Sequence, residues 1–296
     1  MEYSIDKSGN RVILNVLANA DESMIGLHIN NSKILSINYS DLLSLVLATL
    51  GERELNYFDL SLIKYHAFPV SQKSGEEDNP IIVMETIGSI DFEGILDALK
   101  FYKAVDIFSC YLLSYRYVDE KIYCGGIGKV FLYEHAIQWP DKPYCMTEED
   151  KVHFKQWFKE NAEMMYGEHN DKFTKMKSLY LNSYWIGNVE QSFVMLSVIL
   201  EMLIGATQEM TYRISRNVGA FLSTNSVEMS AIIKRIKRLY NVRSKYVHEG
   251  KSIVNDDLYD LREIVRKIIV LMFEKGMHKP GFDFKQFSDE ISLAGY

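Results

Sequence analysis

Early in the chain apolar and polar positions alternate. Arg11–Leu17 and Met24–Ile29, rich in β-branched residues and bounded by Gly, Asn and Asp, predict short strands. Asp41–Leu50 suits a short helix stopped by Gly51. The polar run Ser71–Pro80 reads as an exposed loop, and Ile81–Met84 as a further strand. From Asp91 to about Arg116, Ile95, Leu96, Leu99, Tyr102, Val105, Phe108 and Leu112 recur at helical spacing. Lys121–His135 reads as a hairpin turning at Gly125–Gly126–Ile127–Gly128. Residues 1–140 are therefore expected to form a small α+β domain.

Two prolines close together in Trp139–Pro140–Asp141–Lys142–Pro143 mark a boundary, since neither kind of element runs through such a segment. Beyond it the period is that of a helix almost without interruption. Thr147 with Asp150 three residues on predicts the cap of a helix to about Tyr166. Further helices are expected over Asp171–Trp185, Val189–Gly205 and Met210–Leu222. A fifth starts at Asn225 with Glu228 three residues later and ends at Gly250 as a left-handed cap. The last covers Asp256–Lys275, stopped by Gly276 and Pro280. The fold class expected is mainly α: a helical domain over residues 145–280, preceded by the smaller α+β domain and followed by a tail, 281–296. No repeat or low-complexity tract interrupts this plan.

Composition changes the picture little. With 47% hydrophobic and 25% charged residues, the chain can bury a real core. Cys110, Cys124 and Cys145 are sparse and form no CxxC pair, which suits a reducing compartment. The opening MEYSIDKSGNR lacks the basic-then-apolar pattern of a secretory signal. Phe193–Ala206, the longest apolar stretch, is too short to span a bilayer and carries Glu201. A cytoplasmic protein with no membrane partner is expected.

Charge matters more. The total of −7 argues against a general nucleic-acid-coating protein. Yet residues 231–251 hold Lys234, Arg235, Lys237, Arg238, Arg243, Lys245 and Lys251 against the single acid Glu249, a local net of +6. A helix so charged can face a phosphate backbone. It can equally be a solvated amphipathic helix that packs Ile232, Ile233, Ile236, Leu239 and Tyr240 inward.

Within it, Arg243 and His248 stand five positions apart. Their Cβ directions differ by about 140° on a helix, a gap that long side chains can close around a bound group. A histidine side chain can take the proton of an RNA 2′-hydroxyl or give one to the leaving 5′-oxygen. An arginine presents a fixed fork to a phosphoryl group gaining charge. The plain alternative is that His248 and Lys251 are cations favoured at a helix C-terminus.

The neighbours of this pair add to it. Ser192–Ile204, reading SFVMLSVILEMLI with Glu201 inside, resembles the second core helix of the Apea-like HEPN family. Tyr212–Leu222, YRISRNVGAFL, resembles that family's next short helix. Leu239–Gly250, LYNVRSKYVHEG, closely matches its motif LYxxRSxxVHxG, and a closing amphipathic helix follows. The resemblance covers residues 172–277 and is silent about 1–140. It implies a bundle of four or more helices that forms a homodimer or higher oligomer. The Arg243 and His248 of two chains would then meet as a metal-independent ribonuclease centre with no cofactor. Ser244, Tyr240 and Glu201 would support it, and Arg213, Arg216, Lys234, Arg235, Lys237, Arg238 and Lys245 would contact RNA. A toxin or anti-phage effector restrained or triggered through residues 1–140 is the role such proteins suggest. A non-catalytic RNA-binding or protein-interaction module, possibly regulating a partner protein, is the alternative. A third reading is a fold that binds a nucleotide or is modified at Tyr246.

Other signals carry less. Gly125–Lys129 lacks the spacing and the Ser or Thr of a phosphate-binding loop. His135 with Cys124 and Cys145 has no metal-ligand spacing, and His153, His169 and His278 are isolated. No Gly-x-Ser-x-Gly elbow and no Cys–His neighbours suggest a nucleophile.

Overall fold

The computed structural model describes residues 3–50, 81–88, 92–129, 142–204 and 210–294. The chain forms two compact units that change over between Met165 and Tyr166. Helix dominates the described residues. Gly51, the Ser71–Pro80 loop, His135, Trp139–Asp141 of the proline-rich boundary and Gly205 lie outside them.

The first unit is built on a six-stranded sheet in the order β2-β3-β4-β1-β5-β6, antiparallel throughout. Its strands are β1 (Arg11–Ala18), β2 (His28–Ile29), β3 (Ser32–Ile37), β4 (Ile81–Ile87), β5 (Phe108–Val118) and β6 (Lys121–Lys129). The helices are α1 (Tyr39–Leu50), α2 (Phe92–Tyr102) and α3 (Glu148–Tyr166). Leu17, Ile34, Ile82 and Met84 of the sheet share one core with Ile95, Leu96 and Leu99 of α2 and Phe154 and Phe158 of α3.

Several expectations are corrected in this unit. The helix expected to run to Arg116 ends at Tyr102, and Phe108–Val118 is a strand paired along nearly all of β1. Its sequence, FSCYLLSYRYV, is aromatic and suits a pleated, half-buried surface, so pairing overrides the helical spacing. The hairpin turns at Asp119–Glu120, both at positive φ (48° and 60°), not at the glycines. Gly125, Gly126 and Gly128 lie within β6. Ser114 faces Gly126 while Tyr115 faces Cys124, so Gly125 is the extra residue of a bulge. Of Met24–Ile29, only His28–Ile29 is strand. Asp21 caps a single 3-10 turn at Glu22–Met24 instead.

The predicted cap of α3 is present. Thr147 N donates to Asp150 Oδ2 (2.8 Å) and Asp150 N donates to Thr147 Oγ1 (3.0 Å). Yet α3, which a boundary at 140–145 assigns to the helical domain, belongs by its contacts to the first unit. Phe154 and Phe158 bury into that core, and Tyr144 just ahead donates its hydroxyl to Leu99 O at 2.7 Å.

The second unit comprises α4 (Asp171–Asn182), α5 (Val189–Ile204), α6 (Met210–Leu222), α7 (Ser226–Glu249), α8 (Asn255–Glu274) and α9 (Phe284–Ala294). Helix α5, apolar nearly all round, packs against each of the other five. Asn225 caps α7 through Glu228 N, and Gly250 ends it at φ 67°. The expected tail, 281–296, contains α9. Its Ile291 is buried, and its Ser288 hydroxyl donates to Ile204 O at 2.8 Å. Helices α6 and α7 run antiparallel and pack tightly at Gly219, where a Cβ would sit 2.7 Å from Ile233 Cγ1 and 3.3 Å from Met229 O.

Candidate functional site

Helix α7 buries Ile236, Leu239 and Tyr240, half-buries Ile232, Ile233, Val242 and Arg243 beside them, and exposes its opposite face. That leaves Arg243 on the flank of the buried stripe, where it meets α5. Its Nη2 lies 3.1 Å from Glu201 Oε1, with the two side chains 29% and 23% exposed. The contact is a close pairing of charges rather than an aligned hydrogen bond, because Oε1 of Glu201 has no hydrogen-bond partner. Arg243 Nε is also buried without a partner. A half-buried carboxylate on so apolar a helix requires a counter-charge, and Arg243 supplies it. One turn earlier, Tyr240 is buried, with its hydroxyl 3.5 Å from Ser197 O. Burial, and next the Glu201 charge, push its phenol far above the usual range, so it stays protonated.

His248 and Ser244 face solvent in the last turns of the same helix. Among the described residues, no hydrogen bond or ion pair joins Arg243 to His248. The two stand as the spacing implied, one on the flank of the bundle and one on the open face.

The basic residues separate into two sets. Arg235 and Arg238 reach Asp260 of α8, and Arg238 also pairs with Asp257; Arg238 Nη2 lies 2.6 Å from Asp260 Oδ2. These two arginines, expected to contact RNA, are engaged with carboxylates instead. Lys251 pairs with Glu249 at 2.7 Å. Lys234, Lys237 and Lys245 remain exposed on α7, without a carboxylate partner among the described residues. With Asn241, Ser244 and His248 they fall at spacings of three and four, so they line one stripe of the helix. Arg213 and Arg216 sit half-buried on α6. The local +6 of the sequence is therefore partly neutralised across α7 and α8.

Three participants escaped the sequence reading. Asp257 and Asp260 lie outside the basic segment, although their spacing of three on one helix face signals a partner for paired arginines. Tyr212 stands 52% exposed at the start of α6, with Lys237 Nζ 5.9 Å from its ring centroid. Among the described residues, no three His, Cys, Asp or Glu side chains gather as a metal-binding group, and no helix is long and apolar enough to cross a membrane.

No family model, curated protein or solved structure matches the chain.

Proposed function

We propose that the helical unit is of the HEPN type and cleaves RNA without a metal ion, with Arg243 and His248 as its reacting residues. The observation that carries this reading is the Glu201–Arg243 pair. It joins two of the three segments that resemble Apea-like HEPN helices, and it holds a guanidinium beside a helix face that bears an open histidine five residues on.

The chemistry follows from those groups. His248 accepts the proton of a 2′-hydroxyl, whose oxygen then attacks the adjacent phosphorus. Arg243 stabilises the charge that gathers on the phosphoryl oxygens. The 5′-oxygen leaves with a proton given by a protonated His248, which balances the one taken from the 2′-hydroxyl, and the products are a 2′,3′-cyclic phosphate and a 5′-hydroxyl. No water or metal enters the balance. Two copies of the chain, each supplying one Arg243 and one His248, would form the working centre. Lys234, Lys237 and Lys245 would guide the phosphate backbone to it, and the sheet-based unit would restrain or trigger it, as in a toxin or anti-phage effector. The reading rests on the resemblance for its biological role and on the Glu201–Arg243–His248 arrangement for its chemistry.

The test is incubation of the purified protein with total RNA in EDTA. Wild type is expected to cut, and His248→Ala to lose on the order of 10²–10⁴-fold in rate while unfolding at the same temperature. Undiminished cleavage by folded His248→Ala would remove the assignment. Salt-sensitive RNA binding with no cleavage by wild type would leave a non-catalytic RNA-binding module.

A further inference from the structure

We propose that Tyr212 is a stacking platform for one base of a single-stranded RNA, set beside a backbone track formed by Lys234, Lys237 and Lys245. It rests on the ribonuclease reading only for the polymer being RNA.

Tyr212 leaves 52% of its surface to solvent beside the exposed face of α7. Its place is fixed. The close approach at Gly219 pins α6 against α7, and the antiparallel run from there brings Tyr212 opposite Lys237. The ammonium over the ring, 5.9 Å from its centroid, is attracted by the π face and puts a positive charge beside the proposed platform.

The surrounding charges agree. The arginines of α7 are taken up by Glu201, Asp257 and Asp260, whereas its three exposed lysines have no carboxylate partner among the described residues. Lysine is a mobile point charge suited to following a backbone, not a fork for reading one base. From Lys237 the stripe continues to His248 over roughly 16 Å of helix at 1.5 Å per residue. That is the length of about five stacked nucleotides at 3.4 Å each. A base held on Tyr212 and a phosphate at His248 thus belong to one short strand. In a duplex the base faces are covered by their neighbours, so only an unpaired strand can use this ring.

The experiment is fluorescence anisotropy with the full chain and a 2′-O-methyl oligonucleotide of about ten nucleotides, which has no free 2′-hydroxyl to attack. Tyr212→Ala is expected to bind about tenfold more weakly, Tyr212→Leu to behave like it, and Tyr212→Trp to bind like wild type. An abasic position in the oligonucleotide weakens wild type by a similar factor and Tyr212→Ala hardly further. Wild-type affinity in Tyr212→Ala, equal weakening toward a duplex, or no binding by wild type would each overturn the proposal. Because the probe cannot be cut, the two readings separate. Tyr212-dependent binding without cleavage of ordinary RNA removes only the nuclease, and cleavage indifferent to Tyr212 removes only the platform.

Discussion

Glu201 is a carboxylate on a helix whose buried positions are apolar or serine, and its partner is the one arginine that the proposed chemistry needs. Such a pair has a structural and a functional consequence that separate on substitution. Glu201→Gln keeps the volume and removes the charge, so Arg243 loses what fixes its direction. Stability is expected to fall by about 1 kcal/mol, as for a partly exposed ion pair. RNA cleavage should fall by about tenfold, chiefly in kcat, because the group displaced acts in the transition state. Denaturant unfolding and single-turnover cleavage measure the two. A stability loss with unchanged kcat would make the pair purely structural. Asp150 offers a second residue-scale test. A hydrogen bond from Lys103, then one from the Thr147 backbone, hold its carboxyl down to about 2. A folded value below the unfolded one means that its contribution is fully present above about pH 4 and is lost as pH falls toward 2. Asp150→Asn should therefore cost about 1 kcal/mol at pH 5, after allowance for solvent screening, and nothing near pH 2, in unfolding followed at both.

At the scale of elements, the contact between α6 and α7 sets where Tyr212 and Lys237 stand, and Gly219 lies in it without room for a side chain. A Cβ there would meet Ile233 Cγ1 at 2.7 Å and a backbone carbonyl at 3.3 Å. Gly219→Ala is expected to destabilise by about 1–3 kcal/mol through overpacking, and Ile233→Ala, which removes the Cγ1 that the new methyl would meet, to cost less in that background than alone, seen in a double-mutant cycle of unfolding free energies. Additive losses would mean that the two do not press on each other. The helices of this unit were legible because their punctuation is local. Asn225 with Glu228, Gly250 at positive φ, and Thr147 with Asp150 in the helix before are chemistries that one turn of chain decides. Residues 92–129 were not, because pairing with a distant β1 decides that Phe108–Val118 is a strand. Glycines in a strand resemble a turn until the bulge that uses Gly125 is visible. The tail was misread because its apolar residues gain a helix only by packing on α5 and α6.

At the scale of the molecule, a chain of net charge −7 presents three exposed lysines on one stripe of one helix and sets carboxylates against the arginines beside it. The sequence revealed the excess of base but not its division, since Asp257 and Asp260 lie on another helix. That division leaves a narrower positive track than composition alone suggests, with His248 at its end. The most direct test is the end chemistry of the cut. A DNA strand carrying one ribonucleotide is incubated with the protein in EDTA. Cleavage is predicted only on the 3′ side of the ribonucleotide, leaving a 2′,3′-cyclic phosphate and a 5′-hydroxyl, and none by His248→Ala. Cleavage at deoxynucleotides, a 5′-phosphate product, or equal cleavage by His248→Ala would contradict it.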